Sequence, residues 1–337
     1  MAIPVVNLYR NGGLESTHYG NLAIVAADGK LLYRVGDPFA RTFMRSSAKP
    51  LQAVSLVRTG GFARLGLAPR HLAIICASHS GEPQHVQAVA EILNRIGLGP
   101  EHLRCGVHEP LYYTYTNSKP PAALEISTLH HNCSGKHAGM LALCRHLGYP
   151  IENYLDFDHP AQKMITGTIA EICRLSEKEI HLAIDGCSAP VHGMPLYNMA
   201  LGFARFSAPD SLPADLADSC RTIAAAMIQH PEMVGGTNRY DTELMRTCEG
   251  KLIAKVGAEG VHCVGLLGRG LGMACKITDG NRRALSPFSL EALHQWGAVS
   301  STQFESLKGF HATPLRNYRN IEIGELKPEF SLESAGK

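Results

Sequence analysis

Short apolar runs dominate both ends of the chain, and amphipathic stretches fill its middle. Val5 to Tyr9, Ala23 to Ala26 and Leu31 to Val35 are short and rich in β-branched residues, with an Asp28-Gly29 turn between the last two. They predict a β-meander at the start of the chain. Toward the end, Leu252 to Gly257, Val261 to Leu267 and Met273 to Thr278 predict three further strands, followed by an Asp279-Gly280 turn. Gly268-Arg269-Gly270-Leu271-Gly272 lies between two of these and lacks dinucleotide-binding spacing, so it predicts a hairpin.

Between the termini the period lengthens. A helix is expected from Ser46 or Ser47 through Leu51, Val54 and Arg58 to a Gly60-Gly61 stop, with Pro50 in the tolerant first turn. Leu72 to Cys76 predicts a strand, and the polar corner Ala77-Ser78-His79-Ser80-Gly81 then leads into helical spacing at Val86, Val89, Leu93 and Ile96. Ser134 is expected to cap a helix running to Leu147 and closed by Gly148. Further helices are expected over Pro160 to Leu175 and Pro213 to His230. Tyr112, Tyr113 and Tyr115 fall in a proline-rich stretch that reads as a packed or lid-like loop. Strands at both ends around a helical middle predict an α+β fold, and no repeat or linker divides residues 1–337 into separate domains.

Composition narrows the function. Apolar residues at 45% and charged ones at 18% suit an ordinary folded protein. The net charge of +2 comes from interspersed acids and bases, which leaves no basic stripe for nucleic acid. No stretch reaches the length of a bilayer span, and the first residues lack a signal-peptide pattern, so neither export nor membrane insertion is expected. Ten cysteines scattered singly suit reduced thiols, hence a cytoplasmic location.

The candidate chemistry starts at Ser46-Ser47-Ala48-Lys49, where helical spacing brings a hydroxyl and an amine onto one face. A lysine acting as base near neutral pH needs its ordinary value of ~10.4 lowered by about 3, and burial and a helix N-terminus both act in that direction. Taken alone, Ser-x-x-Lys is also what a capping serine and a surface lysine look like. Ser78 on the polar corner and Lys255 on a C-terminal strand change that balance, because their order and settings match the second and third elements of penicillin-recognising serine enzymes.

A second cluster carries thiols. Cys133 precedes an expected helix, where the positive end stabilises a thiolate, and Lys136 shares its face one turn on. Cys187 follows the apolar Leu182-Ala183-Ile184, at a strand end. The two thiols could share one metal ion or be structural, since paired zinc-ligand spacing is lacking. His130, His131 and His137 stand nearby in sequence.

With Arg45-Ser46-Ser47-Ala48-Lys49-Pro50, Cys76-Ala77-Ser78-His79-Ser80-Gly81-Glu82, Cys133-Ser134-Gly135-Lys136-His137 and Asp185-Gly186-Cys187 in order, the chain resembles the rhizobial-type, or class 3, L-asparaginases along essentially its whole length. The resemblance implies a serine β-lactamase and glutaminase-like fold, a homodimer, and hydrolysis of L-asparagine to L-aspartate and ammonia. Carried onto this sequence, it implies Ser46 as nucleophile with Lys49 as base, and a second Ser-Lys pair in Ser78 and Lys255. It further implies a non-catalytic, substrate-orienting Zn2+ held by Cys133, Lys136 and Cys187, with Arg45, His137 and Asp185 binding substrate or supporting those that do. Other readings of the same elements are a glutaminase, a penicillin-interacting serine acylase and a non-enzymatic zinc protein.

Overall fold

Residues 1–336 are described in a computed structural model, and the N-terminal meander forms as β1 (Ile3–Arg10), β2 (Gly13–Ala26) and β3 (Leu31–Val35). Two short strands, β4 (Arg41–Phe43) and β5 (His181–Ile184), flank β6 (Pro190–Pro195) in a small separate sheet. The C-terminal strands β7 (Leu252–Gly257), β8 (Val261–Leu266) and β9 (Leu271–Ile277) then join β2 in antiparallel register, Leu22 opposite Cys275 and Ile24 opposite Met273. Gly268 and Gly270 form the expected hairpin, both at positive φ.

Three late strands were not expected: β10 (Thr313–Arg316), β11 (Glu322–Pro328) and β12 (Glu333–Ser334). They lie at the rim and bury almost nothing apart from Leu326, so they lack the apolar alternation that marks a half-buried strand. The main sheet runs β10-β11-β1-β2-β9-β8-β7, with β3 on β2 and β12 on β3. Both termini thus build one antiparallel sheet and the middle of the chain supplies helices, which makes the fold α+β. The Leu196–Ser207 helix packs against β2, β8 and β9, where Gly272 lets β9 approach: a Cβ there would sit 2.1 Å from the Ala200 carbonyl oxygen. Leu285–Gln295 packs on β1, β8, β9 and β11, with Phe288 fully buried.

Leu72 to Cys76, expected as a strand, is instead the end of the helix Pro69–Ile75 and its C-cap, Cys76. Pro69 suits its first turn, and the backbone N–H of Ala68 donates to Nδ1 of His71 at 3.0 Å, closing the N-terminus. A short apolar run buried on all sides has no period to separate helix from strand, and here packing decided. The Ser134–Leu147 helix crosses this one closely, because a Cβ on Gly135 would lie 2.1 Å from the Ile74 carbonyl oxygen and one on Gly139 would meet Ile75. Those two glycines bring the polar corner at 77–81 beside the thiol cluster.

Helices at Pro160–Cys173 and Ala214–Gln229 match their expected spans closely. The tyrosine stretch is a short helix, Leu111–Tyr115, where a loop was expected. All ten cysteines are buried, and none is joined in a disulfide. Among the described residues no helix is long and apolar enough to cross a membrane.

Candidate active site

The small sheet fixes where the first motif sits. Phe43 pairs with Gly193, and the Met44 N–H donates to the His192 carbonyl at 2.8 Å. Arg45 then takes a left-handed turn, φ 51°, a conformation costing a non-glycine residue about 1 kcal/mol. That turn sets Ser46 in a tight 3-10 helix, Arg45–Ala48, from which the α-helix Lys49–Arg58 continues. Close behind lies β7, whose Gly257 leaves room for the Met44 carbonyl: a Cβ would come within 2.6 Å of it.

Lys49 and Lys255 reach the same hydroxyl from opposite elements. Lys49 Nζ donates to Ser78 Oγ at 3.1 Å, to the Ala77 carbonyl and to the Asn132 carbonyl at 3.3 Å. Lys255 Nζ lies 3.0 Å from the same Oγ and 2.9 Å from the Val256 carbonyl. Both lysines are buried, at 1% and 0% exposure, and Ser78 is 4% exposed. Ser46 is half-buried, and among the described residues its hydroxyl forms no hydrogen bond, to Lys49 or to any other group. The spacing that puts Ser46 and Lys49 on one face is present, yet the amine is engaged by Ser78.

Burial pushes the Lys255 amine down to about 8; Asp241 opposes that shift, while Lys49 and Arg239 add to it. Asp241 is itself 2% exposed. Burial disfavours its charge, but Lys255 and His262 more than offset this and hold the carboxyl well below its usual range. Its Oδ2 accepts from the Val256 N–H at 2.8 Å and lies 3.5 Å from Lys255 Nζ, and its Oδ1 lies 3.1 Å from His262 Nε2. Ser289 Oγ closes the far side of that imidazole at 2.7 Å from Nδ1.

The corner carrying Ser78 is held from several directions. Its N–H donates to the Val234 carbonyl, and its own carbonyl accepts from Arg239 Nη1, both at 3.0 Å. His79 Nδ1 accepts from the Gly81 N–H, so its Nε2 carries the proton shared with Ser134 Oγ at 2.9 Å. Ser134 in turn donates to the Leu129 carbonyl and opens its helix as the first residue; the N-cap position belongs to Cys133, with no side-chain cap.

Cys133, Lys136 and Cys187 converge, all at 4% exposure or less. Lys136 Nζ lies 2.9 Å from Cys187 Sγ. A hydrogen bond from Cys187 is the main influence holding the Cys133 thiol well below its usual range, with Lys49 and Lys136 assisting against burial. Burial opposes charge on Lys136, but the two sulfurs and Asp185 outweigh it and raise the amine's pKa. Among the described residues no group of three or more His, Cys, Asp and Glu side chains is placed to hold a metal, so a third donor at this cluster would be the Lys136 amine. Two thiols are donors of the kind zinc takes, while the amine has a lone pair to offer only after losing the proton that the sulfurs and Asp185 stabilise.

Arg45 Nε donates to Asp185 Oδ1 at 2.8 Å, with Arg45 partly exposed. His137 is fully buried; its Nδ1 lies 2.7 Å from the Tyr154 hydroxyl, and its Nε2 is sealed off with no partner. Tyr154 Oη also accepts from the Arg104 N–H at 3.0 Å.

Residues 6–328 match the sequence pattern of the L-asparaginase II family. The chain belongs to that family. Membership makes it a hydrolase of the asparaginase type. No curated protein matches the chain. Among solved structures it is similar to a β-lactamase from Mycobacterium bovis, at 12% identity and a TM-score of 0.42 over 78% of this chain and 88% of that one. It is also similar to a protein called Mglu in its L-glutamate-binding form, at 14% identity and 0.37, over 82% of this chain and 58% of Mglu.

In this L-asparaginase II family member, sequence reasoning missed Asp241, His262 and Arg239. Asp241 follows Tyr240 in the first turn of the helix Tyr240–Thr247, where an acidic residue is the ordinary complement to a helix dipole. His262 sits inside an apolar strand and reads as core. Only the side chain that each meets across the fold distinguishes them.

Proposed function

We propose that the protein hydrolyses L-asparagine to L-aspartate and ammonia at the Ser-Lys cluster. The observation that carries this reading is a serine hydroxyl within hydrogen-bonding reach of two buried lysine amines, in a chain of the L-asparaginase II family. Ser46 is the nucleophile, since it alone of the two serines is partly accessible. Its Oγ attacks the side-chain amide carbon while Lys49, turning from Ser78 to Ser46, takes the hydroxyl proton and returns it to the departing nitrogen, which leaves as ammonia. Water then attacks the resulting ester, giving up its proton to the same amine, and aspartate leaves as Ser46 recovers its hydrogen. Ser78 links Lys49 to Lys255, so a proton held at one amine can be passed to the other through the hydroxyl between them.

Arg45 and Asp185 offer opposite charges for the carboxylate and ammonium of an amino-acid substrate, and His137, sealed from solvent, supports the site through its contact with Tyr154. Ammonia release measured with L-asparagine and L-glutamine, beside ring opening of a penicillin, tests the substrate. Faster turnover of asparagine is expected. Faster glutamine turnover or penicillin acylation replaces the reading, and silence on all three sinks it.

Zinc would be held by Cys133, Lys136 and Cys187, and when bound it supplies a fixed positive charge that orients substrate. Both thiols and the amine must release protons to bind it, so zinc content should rise with pH. Lys136→Arg should lower the zinc content of purified protein at every pH, because a guanidinium has no lone pair to donate. Equal metal in the two proteins removes Lys136 from the ligand set. We further propose that the protein is a cytoplasmic homodimer.

A further inference from the structure

Arg239 is a buried cation without a counter-ion. It is 5% exposed, yet among the described residues no carboxylate lies within salt-bridge distance of its guanidinium. Two bonds from Nη1 hold the Ser78 carbonyl at 3.0 Å and Ser80 Oγ at 3.2 Å, while Nε and Nη2 have no protein acceptor. Neither nitrogen is among the sealed-off, unpartnered polar atoms, so both open onto accessible space. A guanidinium held this way keeps the desolvation cost of burial with only part of its hydrogen bonding restored.

The accessible space beside it is a cavity of about 170 Å3, lined by Arg239, Arg282, Tyr115, Asn238 and Ser286 on its polar side. Both guanidiniums lie over the Tyr115 ring, at 4.2 and 4.7 Å from its centre, and Arg282 Nη1 donates to the Tyr115 hydroxyl at 3.0 Å. Asp241 is the cavity's carboxylate, and its oxygens are engaged by Val256, Lys255 and His262. Glu82, the other acid near Arg239, spends its oxygens on the N–H and hydroxyl of Thr237 at 2.8 and 2.9 Å. The cavity therefore offers two guanidiniums, an amide and a hydroxyl, with its neighbouring carboxylates already committed. At roughly 30 Å3 per water it holds the equivalent of five or six waters, the bulk of a phosphate or a four-carbon dicarboxylate.

We propose that this cavity, distinct from the Ser46 site, binds a small dianion between Arg239 and Arg282. Planar guanidiniums bind carboxylate and phosphate oxygens in pairs, and a dianion supplies the charge that Arg239 lacks. Because Arg239 also holds the Ser78 corner, an occupied cavity fixes that corner and raises the protein's thermal stability.

Calorimetric titration of the full chain with inorganic phosphate and with succinate, at ionic strength matched with chloride, tests the site. Saturable binding of one of them is expected with a Kd of about 1 mM or tighter, and the ion that binds shows whether the dianion is a phosphate or a dicarboxylate. Arg282 is exposed, so Arg282→Met should fold normally, keep basal turnover, and bind the same ion about tenfold more weakly. Binding of neither ion to the wild type, or equal binding by Arg282→Met, overturns the proposal. Loss of ion binding when asparagine is saturating also overturns it, because the cavity would then be part of the substrate pocket.

Discussion

Ser46→Ala should lower turnover of L-asparagine by about a thousandfold or more and leave the melting temperature within a few degrees of wild type. The change removes one half-buried oxygen that makes no hydrogen bond among the described residues, so little packing is lost with it. Ser78→Ala provides the contrast. Its hydroxyl is the shared neighbour of Lys49 and Lys255, so its loss interrupts proton passage but leaves the attacking group in place. A smaller loss, on the order of a hundredfold, is expected there. Mass spectrometry after rapid acid quench should find an acyl adduct in Ser78→Ala and none in Ser46→Ala. The reverse pattern makes Ser78 the nucleophile and Ser46 a bystander. Lys49→Met combined with Ser46→Ala should be no worse than Ser46→Ala alone, since groups acting as one unit are not additive.

The second large effect is expected at Asp241. Lys255, lowered by burial to about 8, is faced by Ser78, Lys49, Arg239 and Asp241, of which only Asp241 carries the opposite charge. If proton passage needs the neutral amine, wild-type turnover climbs as pH rises through about 8. Asp241→Asn removes the opposing charge, so the amine's pKa falls further and the acid limb of the profile moves to lower pH, by about one pH unit or more. The plateau should also fall by about tenfold or more, because the amine loses an anchor 3.5 Å away. Asparagine keeps an oxygen for the Val256 N–H, which protects the fold. A lowered plateau with an unmoved limb would make Asp241 merely structural.

Strands bounded by turn residues were legible in the sequence. The strands at 31–35 and 252–257 were placed to the residue, and the hairpin glycines at 268 and 270 were read for what they do. The run at 72–76 was misread because a short apolar run does not by itself separate helix from strand, and here Pro69 and the close packing on Gly135 and Gly139 decided for helix. The rim strands from Thr313 onward failed for a different reason, since nearly everything there is exposed.

The same division runs through the site. By itself the sequence determined the α+β class, the family, and which short motifs carry hydroxyls, amines and thiols, because turn chemistry and residue spacing are local properties. Tertiary structure alone decided that Lys49 turns to Ser78 while Ser46 stands free, that Asp241 and His262 stand behind Lys255, and that Arg239 is buried without a partner. Each of these contacts joins residues far apart in the chain, 29 positions in the nearest of the Ser78 pairs and 177 in the farthest. Charge and proton affinity depend on what lies within a few ångströms, and for a lysine on a buried strand only the fold determines what that is.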